Sequence, residues 1–190
     1  MALDRSARAV IFDMDGVLLD TERFYTEATQ QIVGRFGHVF DWSLKSNMVG
    51  RPAIESARYL VEALKLPMSS EDYLSQRAAT LERPMPEAEP MPGARELTGV
   101  LAAARVPQAV ATSSHGRFFN LKTSRHRDWF RTFAAIVLGD DPRVERGKPA
   151  PVIFLVAARE LGVEPAECVV VEDSPAGVQA ARAAGMQVVG

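Results

Sequence analysis

Four short runs in this chain are apolar throughout and then break off into acids or hydroxyls: AVIF before Asp13, and the apolar cores of PQAVATSS, AAIVLGDD and CVVVEDS. Runs of this length without polar alternation fit strands buried on both faces, the habit of parallel sheets. The predicted strands are Ala9 to Phe12, Ala109 to Thr112, Ile136 to Leu138 and Val169 to Val171, and a last apolar run covers Gln187 to Val189. Helical patterns fall between them, at Ala94 to Arg105, Pro151 to Leu161 and Pro175 to Ala184. Strand and helix in alternation predict an α/β fold with a doubly wound, Rossmann-like parallel sheet. Right-handed crossovers bring the C-terminal ends of such strands to one edge. Asp13, Thr112, Ser113, Asp140, Glu172 and Asp173 all stand just beyond those ends, so polar residues remote in sequence are expected to converge.

The interval between the first two strands has a different character. Helical patterns cover Thr21 to Phe36, Ala53 to Leu64 and Ser70 to Arg83, with no clear strand among them. It closes on ERPMPEAEPMPG, Glu82 to Gly93, whose prolines and terminal glycine predict a hinge or linker. The expected organisation is therefore a core of residues 1–20 and 91–190 with a helical cap, residues 21–90, inserted in it.

Composition narrows the class of partner. The 190 residues carry dispersed charges with a net of -2, which gives no general attraction to nucleic acid or anionic membrane and favours a small phosphorylated ligand. Cys168 is the only cysteine, which excludes an internal disulfide framework. No apolar run has membrane-spanning length or the pattern of a signal peptide, so a cytoplasmic, monomeric protein is the expectation.

Within IFDMDG, Asp13 and Asp15 are two apart, and on an extended segment they face the same side. At an effective dielectric near about 20, two such charges about 4 Å apart cost roughly 4 kcal/mol, so the pair calls for a cation or a shared proton. Hard oxygen ligands favour Mg²⁺, which keeps several waters and takes one or two protein carboxylates. Capping of a following helix is the structural alternative for the two acids. VVVEDS adds Glu172 and Asp173 at the same edge, while Ser174 and Pro175 make a good helix start. Thr112, Ser113 and Ser114 offer hydroxyls and amides to a phosphoryl group at a strand-to-helix turn, although a helix cap would use them too. Lys148, in RGKPAP, would by itself read as a solvated surface charge; beside four acids its ammonium can balance a nucleophile and a developing phosphoryl charge.

Together these groups suit phosphoryl transfer, in which positioning and charge stabilisation supply most of the catalysis. Asp13 would attack phosphorus, and Asp15 would protonate the leaving alcohol and then activate water. The candidate metal set is Asp13, the Asp15 backbone carbonyl and Asp173, with Glu172 acting through water or orienting the others.

DMDGV, ATSS, GKPAP and VVEDS stand in the order that marks the haloacid dehalogenase-like phosphohydrolases, and the chain resembles this family from Ala9 to its end. The resemblance implies Asp13 as nucleophile, Asp15 as acid and base, Thr112 and Lys148 as phosphoryl contacts with Ser113 and Ser114 beside them, and Glu172 and Asp173 as holders of Mg²⁺. An aspartate at position 15 resembles the phosphatase and phosphomutase branches. FDWSLKSNMVGRPAIESA, LKTSRHRDWF and VLGDDPRVERGKPAP further resemble the pseudouridine 5'-phosphatase group and its glycerol-phosphatase relatives. That resemblance implies that the turn at Gly50 and Arg51 contacts the leaving group of the substrate, an exposed helix-start arginine being the alternative. His115 is a weaker substrate candidate, and the basic KTSRHR run with His126 is expected to form a solvated helical face.

Two features depart from the family pattern. Val152 stands where an acid is common, and the chain ends at QVVG, where relatives continue. The C-terminus therefore reads as truncated, with the last strand a hydrophobic edge open to association. The expected function is a Mg²⁺-dependent phosphatase of small phosphomonoesters, with pseudouridine 5'-phosphate the leading substrate and glycerol or other polyol phosphates the alternative. A sugar phosphomutase, a phosphoacceptor signalling domain and a non-catalytic homologue are the rivals.

Overall fold

The computed structural model describes residues 7–48 and 53–190. Five parallel strands form the main sheet in the order β5-β4-β1-β6-β7, where β1 is Ala9–Phe12, β4 Gln108–Ala111, β5 Ala135–Val137, β6 Cys168–Val171 and β7 Gln187–Val189. The order reverses direction at β1, which lies between β4 and β6, and this is where ligands bind in doubly wound sheets. Each central strand is apolar because it is covered twice. On one face Ala9, Ile11, Ala109, Ala111, Cys168 and Val170 pack with Ile153, Phe154 and Ala157 of helix α8 (Val152–Leu161) and with Ala180 and Ala181 of α9 (Pro175–Ala183). On the other, α5 (Ala94–Ala103) contacts β4, and Phe12 meets Phe133 edge to face.

Two compact units account for the chain. Residues 1–20 and 87–190 form one, and residues 21–86 the other. The second unit is helical, built from α1 (Glu22–Gly34), α2 (Trp42–Ser46), α3 (Ala53–Ala63) and α4 (Ser70–Glu82). Its core gathers Ile32, Val33, Ala57, Leu60, Leu66 and Tyr73, and the Tyr73 hydroxyl is hydrogen-bonded to Thr29 at 2.9 Å. Helix α2 escapes a periodicity search because it has only five residues; its start is set by Asp41, which accepts a hydrogen bond from the Leu44 amide.

The expected linker, Glu82 to Gly93, is more ordered than its prolines suggest. A 3₁₀ turn at Met85–Glu87 is followed by β3 (Glu89–Pro90), which pairs antiparallel with β2 (Leu19–Asp20). Proline is tolerated because this ladder is only two strands wide. The Met91 amide extends it by donating to Leu18 at 2.9 Å, and Met85 and Ala88 are buried. These bonds place residues 87–90 with the first unit, which moves the boundary from the expected 90 to 86. Among the described residues no helix is long and apolar enough to cross a membrane.

Candidate active site

The strand ends deliver the site. Beyond β1, β4 and β6 the sheet ladder continues for one more bond, with the amides of Asp13, Thr112 and Glu172 donating to Val171, Val137 and Val189 at 3.0, 3.1 and 3.0 Å. These backbones are held by the sheet, so their side chains leave it in fixed directions. Gly16 follows at φ +82°, and the amides of Leu18 and Leu19 both turn back to the Met14 carbonyl at 2.9 Å. Met14 is buried in the core between the two aspartates.

Lys148 is the hub of the first cluster. Its Nζ donates to Asp13 Oδ1 at 2.5 Å, to Glu172 Oε1 at 2.6 Å and to the Ala111 carbonyl at 3.2 Å, and it stands 4.9 Å from the centre of the Phe154 ring. Only 6% of its side chain is exposed, which removes the surface-charge alternative. Burial alone would push this ammonium down, but the carboxylates of Asp13 and Glu172 outweigh it and hold Lys148 above its ordinary value. Asp13 moves the other way from a typical paired acid. Burial pushes its carboxyl up to about 7; Lys148 opposes the rise, and the neighbouring charges of Glu172 and Asp15 add to it. One ammonium thus serves more negative charge than it balances.

Glu172 has both of its oxygens engaged within the protein. It is 1% exposed, and its second oxygen accepts from the Ser174 amide at 2.7 Å and the Ser174 hydroxyl at 3.0 Å. With Oε1 on Lys148 and Oε2 on Ser174, its carboxylate orients the lysine and the loop. Ser174 also caps α9 as expected, by accepting from Gly177 at 3.1 Å. A Cβ at Gly177 would overlap the Glu172 carboxylate, so the glycine makes room for the acid. Gly16 does the same for Asp173, whose carboxylate lies where a Gly16 side chain would begin.

Asp15 belongs to a second cluster. Its Oδ2 accepts from Ser114 Oγ at 2.9 Å and its Oδ1 from Lys122 Nζ at 2.5 Å, while Lys122 also donates to Ser114 Oγ at 2.7 Å. Ser114, expected among the phosphoryl contacts, therefore turns its hydroxyl to Asp15. Thr112 is buried, its Oγ1 accepting from the Ser114 amide at 3.1 Å, and Ser113 is exposed. With the Thr112 amide in the sheet and the Ser114 amide on Thr112, Ser113 is the exposed residue of this turn.

Lys122 is the residue that sequence reasoning misses. KTSRHR is expected to be a solvated helical face, yet Lys122 is fully buried at the end of α6 (Gly116–Lys122). The signal was its spacing: it lies three residues after Phe119, whose ring packs on Phe130, and so on the inward side of the helix. His126 is buried too, between Arg95 at 2.9 Å and the Ala88 carbonyl at 2.7 Å, where it braces the chain just before β3. His115 is an exposed helix-start residue. Asp140 caps α6 with both oxygens, accepting from the Gly116 amide at 3.2 and 3.0 Å. Gly50 and Arg51 lie outside the described residues.

The donor set can be tested against Mg²⁺. Among the described residues no three His, Cys, Asp or Glu side chains are grouped to hold a metal. The candidate donors to a cation are the carboxylates of Asp13 and Asp173 with the Asp15 backbone carbonyl. That short set of hard oxygens, with the Asp13 carboxyl raised chiefly by burial and further by the charges of Glu172 and Asp15, fits an ion that keeps most of its waters.

Known proteins share this arrangement of sequence and fold. The family model described as haloacid dehalogenase-like hydrolase matches residues 7–185. The chain is 48% identical over 185 residues to (DL)-glycerol-3-phosphatase 1, mitochondrial, of Arabidopsis thaliana, a match that covers 95% of this chain and 62% of that protein. It is 47% identical over 188 residues to the Drosophila melanogaster protein named "Probable pseudouridine-5'-phosphatase", covering 97% of this chain and 81% of the relative. The chain thus spans less than two thirds of the first relative's length and about four fifths of the second's. Its fold superimposes on the crystal structure of CbbY from Rhodobacter sphaeroides in complex with phosphate, with a TM-score of 0.75 and 26% identity over 96% of this chain and 84% of that one. Strand order, strand-end acids and relatives agree, and the chain belongs to the haloacid dehalogenase-like hydrolase family.

Proposed function

We propose that this chain is a Mg²⁺-dependent phosphatase that hydrolyses a small phosphomonoester through an aspartyl phosphate on Asp13. The observation that carries the reading is the buried Asp13–Lys148–Glu172 cluster, set at the strand-order reversal with Asp15 beside it. Lys148 engages Oδ1 of Asp13, so attack on phosphorus falls to Oδ2. As the Asp13 oxygen bonds to phosphorus, the ester bond breaks and its electron pair leaves with the alcohol oxygen, which takes a proton from Asp15. In the second half Asp15 removes a proton from water, whose oxygen bonds to phosphorus while the acyl phosphate bond breaks, and Asp13 is regenerated. Lys148 stays against the reacting carboxylate in both halves and balances charge on the phosphoryl oxygens. Asp13, Asp173 and the Asp15 carbonyl would hold Mg²⁺, which when bound neutralises phosphoryl charge and orients the group for in-line attack.

Pseudouridine 5'-phosphate is the leading substrate and glycerol phosphate the alternative, the two being named in relatives of nearly equal identity. Gly50 and Arg51 are the proposed contacts to the leaving group. A phosphate-release screen over nucleotide, sugar and polyol phosphates, with and without Mg²⁺, tests class and substrate together. Metal-dependent release of inorganic phosphate from one of the two is expected. Isomerised sugar phosphate without phosphate release would make the chain a mutase, and no turnover of any ester would overturn the reading.

A further inference from the structure

Lys122 stands out because a buried ammonium is expensive. Removing such an ion from water costs several kcal/mol, and an ion pair of this kind is often no more stabilising than apolar residues of the same volume. Leu121 and the two phenylalanines of α6, Phe118 and Phe119, show that this helix carries apolar side chains readily, so a methionine or leucine at 122 would fill the space. The chain instead places there a side chain with no exposure at all, aimed at an acid that keeps 22% of its side-chain surface.

The three hydrogen bonds have a direction. The ammonium donates to Asp15 Oδ1 at 2.5 Å and to Ser114 Oγ at 2.7 Å, and the Ser114 hydroxyl, having accepted, donates to Asp15 Oδ2 at 2.9 Å. Each oxygen of the carboxylate is thus gripped from the protein side, which fixes the plane of the group. A carboxylate held by two bonds through a closed triangle cannot rotate about its side chain without breaking both. The backbone supports the triangle, since the Gly139 amide donates to the Ser114 carbonyl at 3.0 Å and the Ser114 amide to Thr112 Oγ1 at 3.1 Å.

We propose that Lys122, together with Ser114, is a positioning residue for Asp15, holding its carboxylate in the orientation from which it exchanges a proton with the leaving alcohol and with the attacking water. This rests on the reading of Asp15 as acid and base. Lys122 touches no reacting atom; its effect is transmitted through one carboxylate.

The test separates steps that need Asp15 from one that does not. Phosphorylation of Asp13 by 4-nitrophenyl phosphate expels a leaving group that needs no proton, whereas esters of ordinary alcohols need one, and hydrolysis of the phosphoenzyme needs a base in either case. Lys122→Met should lower kcat on pseudouridine 5'-phosphate and glycerol 3-phosphate by on the order of 10²-fold. In rapid mixing with 4-nitrophenyl phosphate, the same variant should keep a fast nitrophenol burst close to one per enzyme and then turn over slowly. Ser114→Ala, which spares the buried lysine, should show the same split with a smaller loss, and decides the matter if Lys122→Met does not fold. A burst with 4-nitrophenyl phosphate reduced in proportion to turnover would mean a structural role and overturn the proposal. Asp15→Asn is the reference: if it shows the split and neither variant does, positioning by Lys122 fails alone, and if it shows none, the acid and base reading fails with it.

Discussion

Replacing Asp13 with Asn should abolish turnover and, in metal-free buffer, make the protein more stable. Asp13 is buried with Lys148 on one oxygen, yet burial and the charges of Glu172 and Asp15 lift its carboxyl from an ordinary 3.8 to about 7. An acid raised on folding destabilises the native state once it ionises. The penalty is absent below the unfolded value, grows as pH rises from about 4 to about 7 and is complete above that. At roughly 1.4 kcal/mol per tenfold difference in proton affinity, it reaches about 4 kcal/mol at pH 8. Asparagine removes the charge but can still turn a carbonyl oxygen to Lys148. With a urea dependence of about 2 kcal/mol/M, the midpoint of Asp13→Asn in chelator should lie on the order of 2 M above that of the parent at pH 8, and close to it near pH 4. A midpoint at pH 8 equal to or below the parent's would refute the reasoning, because it would mean that Lys148 and the sheet edge already compensate the charge. A gain that did not change with pH would refute it too, since only ionisation of Asp13 is invoked.

Two further substitutions address the same cluster from its other members. Lys148→Met strands two buried carboxylates and should cost about 3 to 5 kcal/mol at pH 8, less on acidification, in denaturant titrations at both pH values. Gly177→Ala puts a Cβ into the Glu172 carboxylate although alanine favours helices; it should destabilise rather than gain the usual ~1 kcal/mol, and should lower kcat through the displaced Lys148.

Much of this site was legible before any fold was known, for a physical reason. β1 and β6 are apolar along their whole length because both faces are covered, so the change at Asp13 and at Glu172 marks the sheet edge to the residue. The roles within the edge were less legible. Glu172 and Asp173 are adjacent acids, and which of them meets Lys148 depends on the loop that Ser174 folds back. Lys148 acquired meaning only from its company, since nothing in RGKPAP announces a buried lysine. Lys122 was hidden for a different reason: α6 has seven residues, too few for a periodic pattern to overrule the presumption that a basic run is solvated. The pairing of β2 with β3 escaped because two-residue strands carry no alternation, and the bonds that form them lie far apart in sequence.

The central claim is covalent chemistry at Asp13, and one experiment addresses it directly. The protein is mixed with a phosphomonoester labelled on phosphorus, quenched in acid within its first turnover, digested and mapped. Label should appear on the peptide that contains Asp13, be released by hydroxylamine as an acyl phosphate is, and be missing from Asp13→Asn. Turnover of the same ester with no trapped label, or with label on another residue, would contradict the account.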